Sequence, residues 1–136
     1  MRIGQKDAKT LTACRYEAVQ LQSMTESFAM RDAHDNGFDG MPKARGRARG
    51  LDDDLASEDA ARKRLEEQER RYKRAKRRAM LTMSRIYLDL TEKQVGFIRL
   101  YFVKGLPFKA ALMESGTSRR AGLYYLAEVK QAARGE

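Results

Sequence analysis

Residues 90–136 read LTEKQVGFIRLYFVKGLPFKAALMESGTSRRAGLYYLAEVKQAARGE, and this stretch decides the fold. A helix should begin just after Thr91, because Thr91 suits the N-cap and Gln94 stands where a capping-box partner belongs. Lys104 and Gly105 then supply a cationic last turn and a left-handed stop. The side chains that form the apolar face of this first helix are Val95, Ile98, Tyr101 and Phe102.

Two more helices are predicted after the first. Pro107 suits the first turn of a helix, since a residue there needs no backbone hydrogen-bond donor. This short helix has room for about two turns before Gly116, which permits the positive φ that a helix-turn-helix corner often needs. Thr117 or Ser118 caps the last helix, which we expect over about residues 119–133.

The last helix has a predicted core face and a predicted basic face. The side chains directed to the core are Tyr125, Leu126 and Val129, and those directed outward are Arg119, Arg120, Leu123, Tyr124, Ala127, Lys130 and Arg134. A recognition helix presents its first turns to DNA bases and its flanks to phosphates. DNA binding is therefore the leading interpretation, and the alternative is a three-helix packing unit with a solvated basic face.

Composition favours the same class of partner. The chain has 136 residues with a formal net charge of +9, which favours association with a polyanion such as double-stranded DNA. The single cysteine, Cys14, excludes an intramolecular disulfide and fits a reducing compartment. No apolar run approaches the roughly 20 residues of a membrane span. We therefore expect a soluble, cytoplasmic protein without membrane contact.

Two long coiled-coil-like helices are predicted upstream, at residues 1–33 and 57–89. The first carries an apolar seam made of Leu11, Cys14, Ala18, Leu21, Thr25 and Phe28. The second carries a seam made of Leu65, Tyr72, Ala75, Ala79, Met83, Ile86 and Leu90. Such narrow seams are typical of coiled coils, so the sequence predicts an all-α protein that forms a homo-oligomer through them. Cys14 fits a small buried apolar residue better than a catalytic thiol, because no histidine partner is near.

Residues 34–56 are predicted to be a flexible, basic, glycine- and arginine-rich loop between the two helices. This loop resembles a basic arm that reaches into a DNA minor groove or binds RNA. Its possible nucleic-acid contacts are Lys43, Arg45, Arg47 and Arg49. A charged, flexible hinge is the alternative. Seven of the nine residues from 70 to 78 are also basic, and phosphate binding and a solvated, partner-pairing surface both remain open for them.

Catalytic and metal sites are not expected. Asp32, His34 and Asp35 lie close in sequence, but two carboxylates and one imidazole are too few to indicate a metal ion. The sequence has no phosphate-binding glycine loop ending in Lys-Ser/Thr and no serine nucleophile elbow. We therefore expect no cofactor and no enzymatic activity.

The order of elements resembles a family of small phage proteins. Two helices joined by a loop with Asp39-Gly40-Met41-Pro42, followed by a unit similar to region 4 of sigma-70 factors, resemble phage and prophage transcription regulators of the RinA/ArpU type. The resemblance implies DNA binding through residues 117–130, regulation of late transcription in a bacterial host, and RNA polymerase as a further partner. The predicted DNA-binding residues are Lys109, Thr117, Ser118, Arg119, Arg120, Tyr124, Lys130 and Arg134. Gly122 departs from the pattern, which places an apolar core residue there.

A second resemblance concerns DNA packaging. The residues that carry it are Leu90, Thr91, Lys93, Gln94, Phe97, Tyr101, Ala110 and Ala111, which are similar to the opening of the DNA-binding domain in phage small terminase subunits. Those proteins place this domain before their oligomerisation region, and here the order is reversed. A packaging component is thus the runner-up hypothesis, followed by a module that binds or inhibits polymerase or another protein.

Overall fold

The described part of the chain is built from helices. The structure is a computed structural model that describes residues 2–37 and 51–135, and the side chains of residues 2–30 and 56–135. The elements in chain order are α1 (Gln5–Gly37), α2 (Leu51–Ile86), a 3₁₀ turn (Tyr87–Asp89), α3 (Glu92–Ile98), a π-helical turn that continues α3 (Arg99–Val103), α4 (Phe108–Ser115) and α5 (Arg119–Arg134). No strand occurs among the described residues, so the predicted all-α fold is confirmed. No helix in this part of the chain has the length and apolarity needed to cross a membrane.

The end of α1 and the start of α2 lie further into the connecting segment than the sequence predicts. Helix α1 continues to Gly37 instead of ending at residue 33, and α2 begins at Leu51 instead of residue 57. The acidic residues 52–54 favour this early start, because negative side chains interact well with the positive end of a helix. The Asp-Gly-Met-Pro motif lies outside the described residues. So do the predicted nucleic-acid contacts of the loop, which are Lys43, Arg45, Arg47 and Arg49.

The chain divides into two compact units that do not follow the predicted domain boundaries. The first unit comprises Met1–Val19 and Arg71–Glu136, and the second comprises Gln20–Arg70. The first unit therefore joins the beginning of α1 and the end of α2 to α3, α4 and α5. Residues 90–136 are part of a larger core instead of forming a core of their own.

The core of the first unit is assembled from all five α-helices. Its buried side chains are Ala8, Leu11, Cys14, Ala79, Met83, Ile86, Phe97, Ile98, Phe102, Val103, Ala111 and Val129. Phe97 is its aromatic centre: the ring centroid lies 5.7 Å from Tyr101, 5.9 Å from Phe108 and 5.9 Å from Tyr125. Phe97 therefore links α3 to both α4 and α5. Aromatic pairs at such distances stabilise the core beyond the burial of their apolar surface.

Part of each apolar seam of α1 and α2 is buried within one chain. Leu11 and Cys14 on α1 and Ala79, Met83 and Ile86 on α2 are all buried in the core of the first unit. The sequence predicts that these positions pair with a second copy of the chain. Because they are already covered by residues of their own chain, this part of the seams is not available for self-association.

The second unit contains the remaining parts of the two long helices. Leu21 and Phe28 on α1 and Leu65 on α2 are half-buried there, whereas Thr25, also predicted in the seam, is exposed. Phe28 and Leu65 line one shallow cleft.

The starts of α3 and α4 differ in how well the sequence predicts them. The capping box of α3 is confirmed: the Thr91 amide donates to Gln94 Oε1 at 2.8 Å, and the Gln94 amide donates to Thr91 Oγ1 at 3.2 Å. Gly105 adopts the predicted left-handed conformation, with φ of 73°. The sequence places Pro107 in the first turn of α4, but α4 begins one residue later, at Phe108. Pro107 is the N-cap residue and has an extended ψ of 152°.

Candidate nucleic-acid interface

The turn between α4 and α5 fixes the direction of α5. Gly116 adopts φ of 68°, and the next amide, that of Thr117, donates to the carbonyl of Leu112 at 3.0 Å. The Gly116 amide donates to the carbonyl of Met113 at 3.4 Å, which completes a Schellman motif at the end of α4. Ser118 then caps α5, since its hydroxyl accepts from the Ala121 amide at 3.2 Å. Only three residues therefore separate the two helices.

The predicted faces of α5 are confirmed by burial. Val129 is buried, and Tyr125 and Leu126 are half-buried against the core. The residues of the opposite side are all exposed, namely Arg119, Arg120, Leu123, Tyr124, Ala127, Lys130 and Arg134. Lys109 on α4 is exposed as well. The first turn of α5 thus presents two arginines to solvent, and its later turns present Lys130 and Arg134.

Gly122 allows α5 to approach α4 closely. Gly122 is buried, and a Cβ atom built on it would lie 2.5 Å from Cδ2 of Leu112. The same atom would lie 3.1 and 3.2 Å from two atoms of the Phe108 ring. Carbon atoms in van der Waals contact are about 3.5–4.0 Å apart, so a side chain here would require Leu112 and Phe108 to shift. Glycine at position 122, where the family pattern has an apolar side chain, therefore lets α5 pack closely against α4.

Thr117 differs from the other predicted DNA contacts. Its side chain is only 9% exposed, and its Oγ1 lies 2.7 Å from Oγ of Ser115. The Ser115 hydroxyl is also 2.7 Å from the carbonyl of Ala111, to which it donates, so Thr117 is the donor of the pair. These bonds hold the turn together from inside. Thr117, predicted as a DNA contact, therefore lies mostly inside the turn that positions α5.

Tyr124 is held by a neighbour on its own helix. Its side chain is 59% exposed, and a hydrogen bond to the Glu128 carboxylate raises the pKa of the Tyr124 hydroxyl. Residues four apart on a helix lie on the same face, so this bond joins two neighbours on one side of α5. Tyr124 and the neighbouring Leu123, which is 51% exposed, add apolar surface to α5 between the two arginines and Lys130 in the sequence.

Comparison with known proteins gives no match. No protein-family model, curated protein sequence or solved structure matches the chain. The interpretation of the interface therefore depends on its geometry and charge.

Side chains from the long helices hold the α3–α4 connection in place. Nη1 of Arg15, on α1, donates to the carbonyls of Tyr101 at 2.7 Å and Leu106 at 2.9 Å. The guanidinium carbon also lies 3.5 Å from the centre of the Tyr101 ring. Burial lowers the pKa of Arg15. This contact was not predicted from the sequence, because Arg15 is separated from its partners by more than 80 residues.

A second set of contacts lies at the end of the π-helical turn. The carbonyl of Val103 accepts from the Tyr72 hydroxyl at 2.7 Å and from the Cys14 thiol at 3.7 Å. Cys14 is fully buried, and this burial raises the pKa of its thiol to about 11. Burial also raises the pKa of Tyr72. Since the last carbonyls of a helix lack partners within it, these side chains stabilise the end of the turn.

Proposed function

We propose that this chain is a double-stranded-DNA-binding protein in which α5 is the recognition helix. The observation that carries the proposal is the exposed face of α5, where Arg119 and Arg120 occupy the first turn directly after the Ser118 cap. The further proposal that it regulates late transcription in a phage or prophage is supported by the resemblance to RinA/ArpU-type regulators. In that setting bacterial RNA polymerase is a second partner.

The chemistry of this face suits a major groove. A guanidinium donates two parallel hydrogen bonds to O6 and N7 of guanine from a rigid planar fork, whereas lysine is a flexible point charge. Leu123 and the ring of Tyr124 offer apolar contact to a thymine methyl group. Lys130 and Arg134 lie further along the same helix, where flanking cations meet phosphates. Lys109 on α4 is a third candidate for a phosphate contact.

Charge favours DNA over a neutral partner. From residue 109 to residue 134 the chain has five basic and two acidic residues, and all five basic side chains are exposed. Three phosphate contacts would give a log–log dependence of affinity on salt with a slope of about −3. A fluorescence-anisotropy titration with random duplex at about 50 and about 200 mM salt measures this slope.

Substitutions on α5 separate base reading from phosphate binding. Arg120→Ala should cost about 1–3 kcal/mol on a duplex selected from a random pool and reduce the preference for that duplex. Arg120→Lys is the matched control, because it keeps the charge and the salt slope but loses the two-pronged contact. Lys130→Ala should weaken all duplexes alike and reduce the slope by about 1. Equal losses on random and selected duplexes for both alanine variants would refute base reading by α5.

A DNA-packaging component is the second candidate. The residues that resemble the small terminase subunit organise the core that carries α5: Thr91 and Gln94 form the capping box, and Phe97 stacks on Tyr101. The same interface could therefore select DNA for packaging. This candidate requires a ring-sized oligomer that stimulates a large-subunit ATPase, so a monomer or dimer in light scattering counts against it. A protein-binding or polymerase-inhibiting module would show no DNA binding at low salt.

A further inference from the structure

A second basic surface lies on the part of α2 that belongs to the first compact unit. Between Glu69 and Asp89 the sequence has eight basic residues and no acidic residue. Tyr72, Ala75 and Ala79 pack against the core of the unit, which directs the charged residues between them outward. The exposed cations that we call the α2 basic face are Lys73, Arg74, Arg77 and Arg78.

Among the described residues, none of these four cations has an acidic partner. Arg85, further along α2, pairs with Asp7 at 3.0 Å, but the α2 basic face has no ion pair among the described residues. Lys73 and Arg77 are four residues apart, as are Arg74 and Arg78, so each pair is separated by about 6 Å along the helix. Like charges at this spacing repel one another and destabilise the helix. A polyanion bound along the face would remove this repulsion.

We propose that the α2 basic face is a second contact surface for the phosphate backbone of double-stranded DNA. It is distinct from the base-reading face of α5, although both surfaces belong to the same compact unit. The inference rests on the proposed DNA-binding function and adds a contact that α5 does not supply. Phosphate contacts carry no sequence information of their own, so this face contributes affinity and salt dependence but no preference among sequences.

A pair of charge-matched triple variants tests the inference. The test variant combines Lys73→Gln, Arg74→Gln and Arg77→Gln. The control combines Arg62→Gln, Lys63→Gln and Arg64→Gln, three exposed positions of α2 in the second unit, among acidic residues. Both variants lose three positive charges from one helix through the same substitution. Binding of the full chain to random duplex is measured by anisotropy over a range of salt concentrations.

The test variant should reduce the magnitude of the salt slope by about 2–3, since it removes three cations and each lost phosphate contact accounts for about 0.9. Affinity at about 50 mM salt should fall at least about tenfold on every duplex, while the control stays close to wild type. Circular dichroism should show unchanged helicity and a thermal midpoint no lower than that of wild type, because repulsion has been removed. An unchanged slope, or equal changes in both triple variants, would overturn the inference.

A third variant separates this inference from the proposed role of α5. Arg119→Gln with Arg120→Gln should abolish preference for a selected duplex and leave residual binding that still depends on the α2 basic face. If this α5 variant binds like wild type while the α2 test variant loses DNA, the α2 basic face stands and the role of α5 fails. If wild type binds no DNA at low salt, both fail.

Discussion

Alanine at two helical glycines tests how α5 is seated on α4. Gly96 lies in α3 and Gly122 in α5, and neither has a positive φ, so alanine should gain about 0.5–1 kcal/mol of helix stability at either position. The space around them differs. A Cβ atom at position 96 would lie 3.6 Å from Cβ of Ser115, an ordinary contact, whereas at position 122 it would lie 2.5 Å from Cδ2 of Leu112.

The two substitutions should therefore change stability in opposite directions. Forcing an extra methyl group into a well-packed core costs about 1–3 kcal/mol. Gly122→Ala should thus lower the free energy of unfolding by about 0.5–2 kcal/mol, after its helical gain is subtracted. Gly96→Ala should raise it by up to about 1 kcal/mol. For a unit of this size the thermal midpoints should separate by at least about 4 °C.

Urea denaturation followed by circular dichroism measures both values. A double-mutant cycle with Leu112→Ala checks the cause, because removing Cδ2 of Leu112 makes room for the new methyl group. The two substitutions should then couple by at least about 0.5 kcal/mol, so that Gly122→Ala costs less in the Leu112→Ala background. Equal effects of Gly96→Ala and Gly122→Ala, or no coupling with Leu112, would refute the close approach of the two helices.

Three further predictions concern the support of the interface. Arg15→Met keeps the apolar stem but removes both donors to the Tyr101 and Leu106 carbonyls, so the free energy of unfolding should fall by about 2–3 kcal/mol in urea; wild-type stability would show that these bonds contribute little. The pKa of Cys14 is raised from 9.0 to about 11. The folded state thus holds the thiol proton more tightly, and stability present below about pH 9 should be lost as pH rises through about 11. Cys14→Ala should lose less stability over that range, and identical profiles would contradict the reasoning. Thr91→Ala should cost about 1 kcal/mol through loss of the α3 cap, whereas Thr91→Ser should be close to neutral.

Local signals in the sequence predicted the ends of the short helices well. The Thr91 cap, the left-handed Gly105 and Gly116 and the Ser118 cap depend on neighbours within a few residues, and all are found. The faces of α5 follow from helical periodicity alone. Pro107 is displaced by one residue, because the N-cap and first-turn positions both accept proline conformations and only the fold distinguishes them.

Contacts between distant residues were not predictable in the same way. The seams of α1 and α2 have the spacing of a coiled coil, but the sequence does not show whether a second copy or the chain itself covers them. The π-helical turn and its partners Arg15 and Tyr72 leave no periodic signal. Gly122 appears in the sequence only as a poor helix former, because its closeness to Leu112 and Phe108 exists only in three dimensions.

The long helices are part of the unit that carries the candidate interface. Among the described residues, half of the buried apolar side chains in its core come from α1 and α2, and a core of only 47 residues would be marginal without them. Arg15 and Tyr72 also donate hydrogen bonds to carbonyls between α3 and α4. Helices α3 and α4 in turn pack against α5 through Phe97 and at Gly122. The α2 basic face and the recognition helix are therefore held by one core. A ligand that binds both surfaces would gain affinity without first having to order one against the other.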